Sequence, residues 1–148
     1  KKTHLYFLFD WHHGGDVVDL NHWLWDLAQA SADFGDPITV GGVQTTKGQY
    51  RLDSYQKTKR VYIEPAGFVK LREVTLSYDI SPNLFQRVWS GVQDATLSVS
   101  GRNLLTWTDY QGMDPEVSNF GNQQLARGID VGPYPPSRSF WFALNLGF

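Results

Sequence analysis

Four segments of the chain alternate apolar and polar residues with period two. In the first, at about 3–11, Leu5, Phe7, Phe9 and Trp11 share one face, while His4, Tyr6, Leu8 and Asp10 share the other. Over about 68–80, Val74, Leu76, Tyr78 and Ile80 oppose Glu73, Thr75, Ser77 and Asp79. Over about 95–108, Leu97, Val99, Gly101, Leu105 and Trp107 oppose Thr96, Ser98, Ser100 and Arg102. The last segment, about 138–148, sets Phe140, Phe142, Leu144, Leu146 and Phe148 against Trp141, Ala143, Asn145 and Gly147. Successive side chains of an extended strand point to opposite faces, so this period predicts sheet strands. One short helix is predicted between the first two. Asp16 is its cap, Val17, Leu20, Trp23 or Leu24, and Leu27 recur at helical spacing, and Asp33-Phe34-Gly35-Asp36-Pro37 stops it.

A soluble sandwich and a membrane barrel share such alternation. Three features favour the barrel. The polar faces carry Ser, Thr, Asn, Arg and Glu opposite unbroken greasy stripes, and aromatics gather near strand ends (Trp11, Tyr78, Trp107, Tyr110, Phe140, Phe148). The connections are also unequal: 12–67 and 110–137 are long, whereas 81–94 is short and opens on Ser81-Pro82-Asn83. With Phe148 on the periplasmic side, strand parity puts both long connections outside the cell and the short one in the periplasm, as in outer-membrane barrels.

Composition narrows the classes. The 148 residues amount to one domain by length. Aromatics at 15% and a net charge of −2 exclude intrinsic disorder and leave no basic footprint for nucleic acid. The absence of Cys excludes disulfides, thiolate metal sites and a catalytic thiol. No apolar run is long enough for a membrane-spanning helix. The strand pattern begins at Thr3 with no apolar leader before it, the expectation for a piece of something longer.

Candidate chemistry is sparse. His12, His13 and His22 lie near Asp10, Asp16 and Asp19, but side chains of consecutive extended histidines point apart and no ligand spacing is matched. No metal and no cofactor are expected. Asp109, Asp114 and Glu116 lack any sign of a desolvated pair, Asp114-Pro115 is a turn, and the familiar catalytic motifs are missing, so no enzyme is expected. Lys57-Thr58-Lys59-Arg60 is a solvated rim segment. The loop aromatics Trp23, Trp25, Tyr50, Tyr55, Phe120 and Tyr134 are candidates for stacking on substrate or docking a lid protein, with plain packing as the competing role.

The residues then carry a resemblance. The stretch Tyr62-Ile63-Glu64-Pro65-Ala66-Gly67-Phe68-Val69-Lys70-Leu71-Arg72-Glu73-Val74-Thr75-Leu76-Ser77-Tyr78 resembles a strand near the end of SusC/RagA-type TonB-linked outer-membrane transporters. So do Leu97-Ser98-Val99-Ser100-Gly101-Arg102-Asn103-Leu104-Leu105-Thr106-Trp107 and the following Tyr110-Gln111-Gly112-Met113-Asp114-Pro115-Glu116-Val117. Gly132-Pro133-Tyr134-Pro135, Arg138 and the terminal Phe148 are similar to that family's closing elements, and Asp10-Trp11-His12-His13-Gly14-Gly15-Asp16 is similar to its Gly-Gly-Asp turn.

The resemblance implies an all-β fold, an antiparallel transmembrane β-barrel to which this chain supplies about the last four strands. Long extracellular loops (12–67 and 110–137), a periplasmic turn (81–94) and one short loop helix would complete it. It implies uptake of a bulky nutrient, a glycan or peptide, across the outer membrane of Bacteroidota-like bacteria. The partners implied are the rest of the barrel and its plug, a SusD-like surface lipoprotein, the TonB system and membrane lipid. Glu73, Thr75, Ser98, Ser100, Arg102 and Asn145 would line the lumen, and Phe148 would be an assembly signal. Four strands cannot close a ring, so the remaining strands would come from a longer protein or, less simply, from another chain. Two other readings stay open: a secreted β-sandwich module that binds carbohydrate, and a non-transporting subunit of a surface assembly.

Overall fold

The computed structural model describes residues 2–81, 91–116 and 128–148. In chain order the elements are β1 (Thr3–His12), β2 (Asp16–Asp19), α1 (Leu20–Leu27), β3 (Pro37–Val40), β4 (Val43–Thr46) and α2 (Lys47–Tyr55). A 3-10 turn (Lys59–Tyr62), β5 (Ile63–Pro65), β6 (Phe68–Ile80), β7 (Asp94–Thr108), β8 (Ile129–Asp130) and β9 (Ser139–Gly147) follow. They form two compact units. The first comprises the described residues of Lys1–Trp11, Val69–Trp107 and Pro136–Phe148, and the second those of His12–Phe68 and Thr108–Pro135.

The first unit is a four-stranded sheet in the order β1-β6-β7-β9. Its register follows the side-chain alternation. β7 and β9 pair antiparallel with Leu97 opposite Leu144, Val99 opposite Phe142 and Gly101 opposite Phe140 on one face. Thr96 opposite Asn145, Ser98 opposite Ala143 and Ser100 opposite Trp141 lie on the other. The apolar face has no covering layer: Phe142 is 77% exposed, Phe140 66% and Leu144 52%. Among the described residues, the buried apolar side chains of this unit are Val92 and Ala95. It is a sheet without a core of its own.

Alternation breaks once. Asn103 takes a left-handed conformation (φ 52°) within β7, anchored by its side-chain N–H to the Ser137 carbonyl at 3.1 Å. The Leu104 side chain thereby lies over Gly101, 2.9 Å from where a Cβ there would stand. Glycine at 101 makes that contact, and the approach of Phe140 at 3.2 Å, sterically permissible.

The second unit carries sheets and helices where the sequence predicts long loops with one short helix. A three-stranded sheet runs β5-β2-β8, with β2 antiparallel to β5 (Val17 opposite Glu64) and parallel to β8 (Asp19 opposite Asp130). β3 and β4 form a hairpin closed by Gly41 and Gly42, both at positive φ as a tight two-residue turn demands. Val17, Tyr62, Phe68 and Tyr110 are its buried apolar side chains.

Two sequence expectations need correction here. The helix does not start at Asp16: pairing on both sides draws 16–19 into β2, and α1 begins after Asp19, whose carboxylate accepts the His22 N–H at 2.9 Å. Nor is there a single loop helix. α2, capped by Thr46, has no apolar stripe to announce it, and tertiary contacts hold it in place. The described chain is mostly β, with two short helices where one was expected.

Candidate functional site

The polar face of the sheet is knitted by side chains. Thr75 and Ser100 hydroxyls meet at 2.7 Å, Ser77 and Ser98 at 2.9 Å, and Thr96 donates to Asp79 at 3.0 Å. Glu73 accepts from Thr75 at 2.9 Å and pairs with Arg102 at 3.2 Å. Arg72 donates to Asp10 at 2.7 Å. Around these groups opens a cavity of about 690 Å³ lined by Arg72, Glu73, Arg102, Asn103, Ser139 and Trp141, among others. Glu73, Thr75, Ser98, Ser100, Arg102 and Asn145 thus share the polar face of the sheet.

The loop aromatics divide into two groups. Trp23 stacks on Tyr55 (5.4 Å between centroids), Tyr55 meets Tyr62 edge-on at 5.6 Å, and Lys59 sits 3.7 Å over the Tyr55 ring. These pack the unit. Trp25, Tyr50 and Tyr134 remain exposed, Tyr134 at 97%. Phe120 lies outside the described residues. Phe148 is exposed. Asp114 accepts the Glu116 N–H at 2.9 Å, which makes it a turn residue. His12 stacks on Phe68 (5.4 Å), and the His12–His13 pair forms no ligand cluster among the described residues.

What the sequence does not reveal is the buried ionic network of the second unit. Arg51 forks onto two carboxylates: Nε and Nη2 reach Asp26 at 2.6 and 2.8 Å, while Nη1 and Nη2 reach Asp33 at 3.0 and 2.8 Å. Asp26 is wholly buried and also accepts from Ser31 and, at 2.9 Å, from the Tyr62 hydroxyl. Burial pushes its pKa up, yet the bonds from Arg51, Ser31 and Tyr62 outweigh that and hold it below the usual carboxylate range. Arg51 holds Asp33 down too.

Beside this network, His22 Nδ1 stands 3.7 Å from Glu64 Oε1 and Nε2 stands 3.9 Å from Asp33. At such distances neither contact is a hydrogen bond. Glu64 draws the His22 pKa up. Burial raises the pKa of Glu64, but His22 and the Gln111 N–H bring it below the ordinary range. Asp19 is raised by burial, then by the charges of Glu64 and Asp130. Asp130 itself accepts from Asn21 at 2.6 Å and from Tyr110 at 2.5 Å. The hint of this in the sequence is the density of Asp over 16–36, with Arg51 the first arginine to follow.

Comparison with known proteins identifies the relatives. No protein-family model matches. TonB-dependent receptor P3 of Formosa agariphila is 32% identical over 144 residues, covering 91% of this chain. The chain is homologous to TonB-dependent receptors. TonB-dependent receptor P26 of the same organism is 36% identical over 90 residues, or 59% of the chain. The chain spans a small part of these receptors, 14% of P3 and 9% of P26. Structures of the RagAB peptide transporter (TM-score 0.66) and of the RagAB peptide importer in the closed-closed state (0.64) match all of it at 20% identity, over 16% of their own chains. The fold of this TonB-dependent receptor homologue is therefore one found within solved importers of that kind.

Proposed function

We propose that the chain forms the C-terminal strands of a transmembrane β-barrel in the outer membrane, part of a TonB-driven importer of a bulky nutrient of the glycan or peptide class. The observation that carries this reading is the uncovered apolar face. Phe140, Phe142 and Leu144 stand out from a single-layer sheet whose opposite face is a ladder of hydroxyls and charges. Hydrocarbon outside and water inside is the solvent arrangement that such a sheet satisfies. A secreted sandwich would bury that face under a second sheet, so the exposure weighs against it.

In this reading Glu73, Thr75, Ser98, Ser100, Arg102 and Asn145 line the lumen, with the plug and remaining strands supplied by the rest of the protein. The second unit stands outside the cell, where Trp25, Tyr50 and Tyr134 meet substrate or a SusD-like lipoprotein. Phe148 serves barrel assembly. RagAB, described as a peptide importer, supports the peptide branch.

The test is a pair of arginine substitutions in the full-length protein. Leu144→Arg puts a charge into hydrocarbon at a cost of about 2–4 kcal/mol near mid-bilayer. It is expected to lower the amount of folded, heat-modifiable barrel in outer-membrane fractions. Ser98→Arg, on the wet face, is expected to leave assembly closer to normal. Equal assembly of both variants, or recovery of the protein in aqueous buffer without detergent, overturns the reading.

A further inference from the structure

We propose that Asp19, His22 and Glu64 bind one divalent cation of the zinc class, stapling the start of α1 to β5. One donor atom from each lies within 4.8 Å of the others. The separation of His22 Nδ1 from Glu64 Oε1, 3.7 Å, is too long for a hydrogen bond. It is close to the roughly 3.4 Å between two ligands that each sit about 2.1 Å from one tetrahedral ion.

Charge points the same way. Asp19 is buried, Glu64 lies on one neighbouring strand, and Asp130 is paired with Asp19 on the other. Three carboxylates converge there with one imidazole, and a dication offsets their mutual repulsion. Asp19 commits Oδ1 to the helix cap, and a carboxylate retains a second oxygen for a metal. An imidazole among the donors favours zinc-like ions over calcium or magnesium, which prefer oxygen alone. His22 and Glu64 keep 13% and 14% side-chain exposure, so both donors are in reach of solvent.

The sequence hides this site because Glu64 lies 42 positions beyond His22 (64 − 22), on a different element.

The experiment uses the full-length protein, purified in detergent and stripped with a chelator. Titration with Co2+ is expected to give visible bands at one equivalent that disappear in His22→Ala and in Glu64→Gln. Each substitution is expected to weaken Zn2+ uptake by about tenfold or more in calorimetry, while Asp53→Asn on the exposed side of α2 changes nothing. A second readout needs no variant: saturating Zn2+ slows amide exchange across 16–27 and 62–65. Metal uptake that is the same in the unsubstituted protein and both folded variants overturns the proposal, as does exchange in these segments indifferent to Zn2+.

Discussion

Arg51 shows how much of the second unit depends on one side chain. Its guanidinium satisfies the fully buried Asp26 and the partly exposed Asp33 with four hydrogen bonds at once, a geometry that a single ammonium does not reproduce. Arg51→Ala leaves a buried carboxylate uncompensated, and removing one partner of such a pair typically costs about 3–5 kcal/mol. The expected outcome is rapid proteolysis within 12–68 at neutral pH in the otherwise folded full-length protein. Arg51→Lys is expected to fall between, since charge is kept and the forks are lost. Protease resistance equal to the parent's in Arg51→Ala would show that Ser31 and Tyr62 suffice for Asp26. Gly48 is a second sensitive position, because a Cβ there would stand 2.0 Å from the Phe34 ring.

At the scale of the element, β7 is the informative strand. Its left-handed Asn103 interrupts the alternation and brings Leu104 over Gly101. A β-branched side chain disfavours positive φ strongly, asparagine tolerates it, and glycine adopts it freely. Asn103→Val is therefore expected to impair barrel assembly, read as loss of the heat-modifiable band, by an amount that strain of about 1–3 kcal/mol implies. Asn103→Gly is expected to assemble nearly normally, losing only the bond to Ser137. If Val and Gly behave alike, the backbone at 103 is not a constraint on assembly.

The same element marks the limit of what the chain's pattern discloses. Alternation over β1, β6, β7 and β9 is readable because each strand has one face for each environment, and period two is a local property. The left-handed Asn103 is less legible, since the partner of its side chain is the distant Ser137 carbonyl. The folded second unit is less legible still. Its strands of two to four residues are too short to show a period, α2 has no apolar stripe, and Arg51 reaches its carboxylates, and His22 reaches Glu64, across 18 to 42 positions of sequence. Trp23 and Tyr55 illustrate the consequence: as loop aromatics they read equally as ligands or packing, and only their 5.4 Å stacking assigns them to packing.

At the scale of the molecule, the two units are held together by different forces, and acid distinguishes them. The sheet relies chiefly on backbone ladders, hydroxyl pairs such as Thr75–Ser100 and Ser77–Ser98, and an apolar face, which do not titrate, while its carboxylate pairs, Glu73–Arg102 and Asp10–Arg72, lie outside any buried cluster. The second unit is tied by carboxylates on Arg51. Asp26 and Asp33 both sit below the ordinary range in the folded state, so they bind protons more weakly there than in the unfolded chain. Their contribution is complete above the unfolded pKa of about 4 and fades as the pH falls through the lower folded values. Amide exchange in the full-length, detergent-solubilised protein, corrected for intrinsic rates, is expected to lose protection across α1, α2 and β5 below about pH 4. Protection in β7 and β9 is expected to persist. Arg51→Ala should shrink the acid-sensitive step to the part that Glu64 carries, because the Arg51 stabilisation is already gone at neutral pH. Loss of protection in both units at one common pH would mean that a shared element, rather than the Arg51 carboxylates, sets the acid limit.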